Sequence, residues 1–124
     1  NPWRVMTKPE DKKYLDAILK AAEIRGKYAG KILDLAKASA GTGEPIAAHM
    51  EYAFPGNGFE KINDQWVLGG DLIVAPVLSQ CDGRKVRLPA GTWRDDLGVR
   101  HTGPAVLELK NVPIDRLPYY EKIK

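Results

Sequence analysis

The sequence is poor in the residue types that carry most recognisable chemistry. It has one cysteine, Cys81, and two histidines, His49 and His101, in 124 residues. A single cysteine excludes an internal disulfide, and two histidines with no second ligand pair at suitable spacing give no metal site. No apolar run approaches the ~20 residues that a membrane-spanning helix needs, and no secretory signal pattern is read, so no membrane partner is expected. Charge of one sign is never concentrated. The 19 basic residues are interspersed with 16 acidic ones for a net +3, without a basic stripe or a nucleic-acid-binding motif, which excludes nucleic acid as an expected partner. A Gly-rich phosphate loop, a nucleophile elbow and a Cys/His pair are all missing, as are internal repeats and low-complexity tracts. No cofactor is expected. The chain opens at Asn1-Pro2-Trp3 without an initiator methionine, the pattern expected of a processed or excised piece, and it points to no compartment.

What is present is enough for one modest core, since 44% of the residues are apolar. After an extended lead-in over Asn1 to Met6, Thr7-Lys8-Pro9-Glu10 reads as a helix start: Thr7 caps, Glu10 reaches back to the cap amide, and Pro9 sits in the first turn. From there to about Ala40, Tyr14, Leu15, Ile18, Leu19, Ala22, Tyr28, Ala29, Ile32, Leu33 and Ala36 recur at helical spacing. This predicts a long amphipathic helix ending at Gly41-Thr42-Gly43. Gly26 and Gly30 each cost about 1 kcal/mol relative to alanine, so a bend or a close backbone contact is expected there.

Strand signals follow. Ile46 to Phe54 alternates, with Ala48, Met50, Tyr52 and Phe54 against Ala47, His49, Glu51 and Ala53, and Pro55-Gly56-Asn57-Gly58 ends it as a turn. Asp64 to Leu68 suggests a short helix capped by Asp64, and Asp71 suits a turn as an acceptor for its amides. Leu72 to Leu78 is a continuous apolar run that suits a strand buried on both faces, and Lys85-Val86-Arg87-Leu88 alternates. The Cys81-Asp82-Gly83 turn is expected to join these two as neighbours, with Pro76 at an edge or bulge. Gly91 to Arg100 reads as a turn-rich link, and Ala105 to Leu109 as a short strand with Ala105, Leu107 and Leu109 on one side.

Several of these segments resemble the end of a glycoside hydrolase family 31 enzyme, the family of α-glucosidases and α-xylosidases. The resemblance rests on Asp64-Gln65, on Gly69, on Asp71-Leu72-Ile73-Val74-Ala75-Pro76-Val77, and on Arg84-Lys85-Val86 leading to Leu88-Pro89-Ala90-Gly91-Thr92-Trp93. Their order and spacing carry it more than any one piece. Pro2-Trp3 before the long helix and Gly43-Glu44-Pro45-Ile46 before the alternating stretch extend it. The resemblance implies an α+β chain: a long N-terminal helix and the last strand of a (β/α)8 barrel, residues 1–70, followed by a small, incomplete antiparallel β-domain, residues 71–124. Val112 to Tyr120 resembles the segment that closes that domain. Most members carry an arginine and a proline where this chain has Ala48 and His49, so that arginine's role is absent.

Retaining glycosidases need two carboxylates roughly 5 to 5.5 Å apart. The resemblance places both on earlier barrel strands, in motifs that do not occur here, so no catalytic residue is assigned to this chain. His49 and Glu51, two apart on an expected strand, share a face, and with Trp66 they are the candidates for substrate contact. Asp64 and Asp71 lie nearby in sequence. Trp93 and the Tyr119-Tyr120 pair are expected to pack rather than to stack on sugar. The resemblance thus implies the C-terminal portion of a retaining α-glycosidase, meeting α-linked oligosaccharide through a parent enzyme, with self-association through exposed barrel surfaces. The alternative is a stand-alone, non-catalytic carbohydrate-binding or interaction domain.

Overall fold

The computed structural model describes residues 8–80 and 82–124. The expected lead-in, the Thr7 cap, Pro2-Trp3 and Cys81 lie outside the described residues. A single 3-10 turn, Pro9–Asp11, opens into helix α1, Lys12–Thr42. The start is closed from Asp11 rather than Glu10: its carboxylate accepts from the Lys8 amide at 3.2 Å. The helix runs through both interior glycines, and nothing stands within 4 Å of a side chain placed at either. The expected close contact does not occur. At the far end Gly43 takes φ +79°, and its N–H reaches the Ser39 carbonyl at 2.8 Å. That left-handed turn costs a glycine least.

Six strands follow: β1 (Ala47–His49), β2 (Trp66–Leu68), β3 (Leu72–Val74), β4 (Arg84–Asp95), β5 (Arg100–Leu109) and β6 (Tyr119–Lys122). They form one antiparallel sheet in the order β1-β2-β3-β6-β4-β5. A long helix with a small antiparallel sheet is therefore the observed α+β architecture.

Four expectations need correction. The strand expected over Ile46 to Phe54 stops at His49, where a short helix, α2 (Met50–Ala53), begins. His49 caps it, its Nδ1 accepting from the Glu51 amide at 3.2 Å, and this local bond takes the backbone out of the ladder just where Met50 is driven into the core. Asp64 to Leu68 is not a helix. Trp66–Leu68 is held between β1 and β3, because burying Val67 in the sheet outweighs a single capping bond. Leu72 to Leu78 is a strand only through Val74. Ala75 is still buried, but Leu78 is 66% exposed, and Pro76, lacking an N–H, ends the ladder. Strands β3 and β4 are not neighbours, since β6 lies between them and pairs Tyr120 with Ile73 on one side and with Asp95 on the other.

The stretch from Gly91 is also more regular than its composition suggests. Strand β4 continues to Asp95 across a bulge between Leu88 and Gly91, and β5 starts already at Arg100, so the connection shrinks to Asp96 through Val99. The peptide bond Gly103-Pro104 opposite the bulge is cis. Along β5 the expected alternation holds, with Ala105, Leu107 and Leu109 on the more buried side.

The two faces of the sheet differ. One carries Val67, Ile73, Val86, Leu88, Trp93 and Tyr120, and is roofed by Met50, Phe59 and Ile62 to make the core. Trp93 is fully buried there, with Phe54 edge-on at 6.0 Å and its Nε1–H donating to the Pro89 carbonyl at 3.0 Å. The other face carries Trp66, Leu68, Leu72, Val74 and Tyr119 and looks toward α1. Replacing Trp93 by alanine removes the largest side chain of the core and should cost about 3–5 kcal/mol. Urea unfolding would show this as a lower midpoint, and a loss below about 1 kcal/mol would place the stability elsewhere.

Candidate functional site

Two of the described concavities lie along helix α1, and a third lies away from it, between Asn57–Phe59 and strands β4 and β5. An apolar cleft of about 190 Å³ lies between Ile24, Tyr28 and Ile32 of the helix and Trp66, Leu72 and Tyr119 of the sheet. A wider one of about 650 Å³ continues past Ala17 and Ala21 to the segment Val112–Leu117, with Gln80 and Asp82 on its rim. The helix touches the sheet along a stripe three and four residues apart. No helix residue is fully buried.

Polar contacts close the seam that apolar packing leaves open. Lys20 pairs with Asp115, and Lys31 with Asp71. Between them sits a cluster around Glu121: the Tyr28 hydroxyl donates to Oε1 at 2.6 Å, Lys27 reaches the same oxygen at 3.3 Å, and Arg94 donates to Oε2 at 2.7 Å. Tyr28 and Tyr119 meet edge-on at 5.5 Å beside it. The Tyr28 hydroxyl, helped by Arg94 and Lys27 and opposed by partial burial, holds the Glu121 carboxyl down at about 2. Burial above all, then the hydrogen bond to Glu121, pushes the Tyr28 phenol up. Sequence reasoning placed Tyr28 on the helix's apolar face but gave no sign of Glu121, whose helix partners Tyr28 and Lys27 are about ninety residues away in the chain.

A second polar group sits at the β4–β5 tip. Asp95 Oδ1 accepts from the amides of Leu97 at 3.0 Å and Val99 at 2.8 Å, and Oδ2 meets His101 Nε2 at 2.9 Å. Burial pushes the Asp95 carboxyl up, but the His101 ring and the two amides outweigh it and hold it below the usual range. Arg116 forks onto both oxygens of Asp96 at 2.8 and 2.9 Å. Beneath them the Tyr120 phenol is pushed up to about 12, chiefly by burial.

Of the residues singled out from the sequence, His49 and Glu51 do not lie side by side on a strand. His49 is an exposed helix cap, and Glu51 sits inside α2 with Oε1 accepting from the Gly56 amide at 2.6 Å and Oε2 from the Phe59 amide at 3.0 Å. Asp64 pairs with Arg84 at 3.2 Å. Asp71, expected to bond turn amides, spends its carboxylate on Lys31 across the helix–sheet seam. Trp66 is half-buried under the helix in the apolar cleft. The structure does not bring His49, Glu51 and Trp66 into one shared cleft among those described. Among the described residues no three of His, Cys, Asp and Glu come together as a metal cage would require. Glu51, Asp64, Asp71, Asp95, Asp96, Asp115 and Glu121 are engaged in loop and turn bonds and ion pairs, an arrangement that builds and locks a fold.

Comparison with known proteins matches residues 43–122 to the glycosyl hydrolase family 31 C-terminal domain. An isomaltosyltransferase of Sporosarcina globispora is 27% identical over 125 residues, covering 98% of this chain and 11% of that protein. The myogenesis-regulating glycosidase of Mus musculus is 35% identical over 92 residues, covering 72% of this chain and 13% of that protein. Among solved structures, the cycloalternan-forming enzyme from Listeria monocytogenes in complex with a pentasaccharide substrate superposes with a TM-score of 0.90 at 26% identity, over 98% of this chain and 12% of that one. The chain thus spans between 11% and 13% of the length of these relatives.

The Glu121 cluster makes the helix–sheet seam sensitive to acid. Its carboxyl lies lower in the folded chain than its ordinary value of 4.5, so its stabilisation is full above that value and fades as the pH falls toward about 2. Glu121→Gln should flatten this part of the acid limb in a pH series of thermal melts, leaving the slope that Asp95 and Asp115 contribute. An unchanged limb would show that the seam does not depend on this carboxylate.

Proposed function

This chain belongs to glycoside hydrolase family 31, and from that membership we propose that it is the C-terminal portion of a retaining α-glycosidase acting on α-linked glycosides. In this reading residues 1–70 supply the last helix and last strand of a (β/α)8 barrel, and residues 71–124 a small β-domain against it. The boundary at Gly70 is then one of origin rather than of packing, since β1 and β2 continue the same sheet as β3 to β6. The nucleophile and the acid/base lie outside these 124 residues. The chain's own work is mechanical: it closes the barrel and supports the wall of the sugar site.

The observation that carries this reading is the helix. It spans 31 residues and buries none of them. Its stripe of Ile24, Tyr28 and Ile32 meets the sheet, while Leu19 and Leu33, 49% and 55% exposed, fall off that stripe with Ala22, Ala29 and Ala40. A polar helix turned to water would not carry a second apolar arc, and a barrel helix must, because strands lie under it. A (β/α)8 barrel takes ~250 residues, and the relatives are long enough to hold one. In the isolated chain the uncovered arc leaves a surface for self-association.

The isolated chain should release no monosaccharide from chromogenic α-glucosides or α-xylosides, and should bind malto- or xylo-oligosaccharides without saturation. Coding sequence upstream of Asn1 in the same frame should encode an aspartate-bearing barrel. Hydrolysis by the purified chain that disappears in Glu51→Ala or Asp64→Ala would overturn the assignment of catalysis to another segment. Tight saturable binding would favour a carbohydrate-binding module instead.

A further inference from the structure

The loop between α2 and the core carries the sequence's single Asn-Gly step, Asn57-Gly58. Both residues are exposed. Gly58 takes φ +74°, and nothing stands within 4 Å of where its Cβ would be. Its main-chain nitrogen therefore has no side chain of its own to obstruct the approach of the preceding carboxamide. Asn57 Nδ2 donates to the carbonyls of Phe54 at 2.9 Å and Pro55 at 3.1 Å, both exposed bonds that water can replace. The loop is gripped on either side of this step by one carboxylate. Glu51 takes the Gly56 amide on Oε1 and the Phe59 amide on Oε2, and only Asn57 and Gly58 stand between them.

We propose that Asn57 is a site of spontaneous backbone modification whose product opens this carboxylate clamp. The Gly58 nitrogen attacks Asn57 Cγ and a new C–N bond closes a five-membered succinimide. The Cγ–Nδ2 bond breaks, and ammonia leaves with the proton given up by the Gly58 amide. Water, the only co-reactant, then opens the ring at one of its two carbonyls. One product is aspartate on the original backbone. In the other, an isoaspartyl linkage, the chain runs through the former side chain and the old main-chain carbonyl becomes a free carboxylate. No electrons are gained or lost.

Both products place a new negative charge beside Glu51, where like charges repel. The isoaspartyl product also inserts a methylene between the two amides that Glu51 holds, so a single carboxylate no longer spans both. The effect reaches the interior. Phe59 is buried and its carbonyl accepts from the Ile62 amide at 3.0 Å, and both side chains roof the core.

The test ages the full chain in mildly alkaline buffer at body temperature. Mass spectrometry then follows the tryptic peptide Ala38–Lys61, and enzymatic methylation detects isoaspartate. Asn57 should convert many times faster than Asn63 or Asn111, and aged wild-type protein should melt below fresh protein. Aged Asn57→Ser should melt with fresh Asn57→Ser. In Glu51→Gln, which weakens the clamp beforehand, the gap between fresh and aged protein should shrink. Conversion of Asn57 no faster than of the other asparagines would overturn the proposal, as would an equal ageing loss in Asn57→Ser or an undiminished gap in Glu51→Gln.

Discussion

Strand β6 keeps the sheet in one piece. Its four residues fill the space between β3 and β4, with Tyr120 opposite Ile73 on one side and Asp95 on the other. Without it the β1-β2-β3 group and the β4–β5 hairpin would share no hydrogen bonds within the sheet. Tyr120 is fully buried beside Trp93, so the same residue that joins the backbone ladders also sits in the core. Its neighbours Tyr119 and Glu121 point the other way, toward the helix. One short strand thus serves the core, the ladder and the seam at once.

The seam has a different physical character from the core. Where the core is apolar and closed, helix and sheet meet through partly exposed ion pairs and a shared carboxylate around a small apolar cleft. Exposed pairs each contribute little, since water screens them. They orient the helix more than they bind it. That suits an element with a second apolar arc to offer, because a helix committed wholly to this sheet would have nothing left for another partner.

Several carboxylates of this chain are spent on holding the fold together. Glu51 holds a loop, Asp95 a hairpin tip, Asp96 an arginine, and Glu121 the seam. At Asp95 and Glu121 the hydrogen-bond partners depress rather than raise the carboxyl's proton affinity. A general acid needs the reverse environment.

Local periodicity determined a good deal of this protein by itself. The long helix, its stop at Gly43, the alternation of β4 and β5 and the family resemblance were all legible, because each depends on residues close together in the chain. Tertiary structure decided the rest. Glu51 left the expected strand because Met50 had a core to enter, and Val67 became part of a sheet because two other strands flanked it. Tyr120 separated β3 from β4, although the turn at Asp82-Gly83 suggested neighbours, and Glu121 acquired partners about ninety residues away. In each case the deciding free energy came from burial or pairing with segments remote in sequence, which local spacing does not encode.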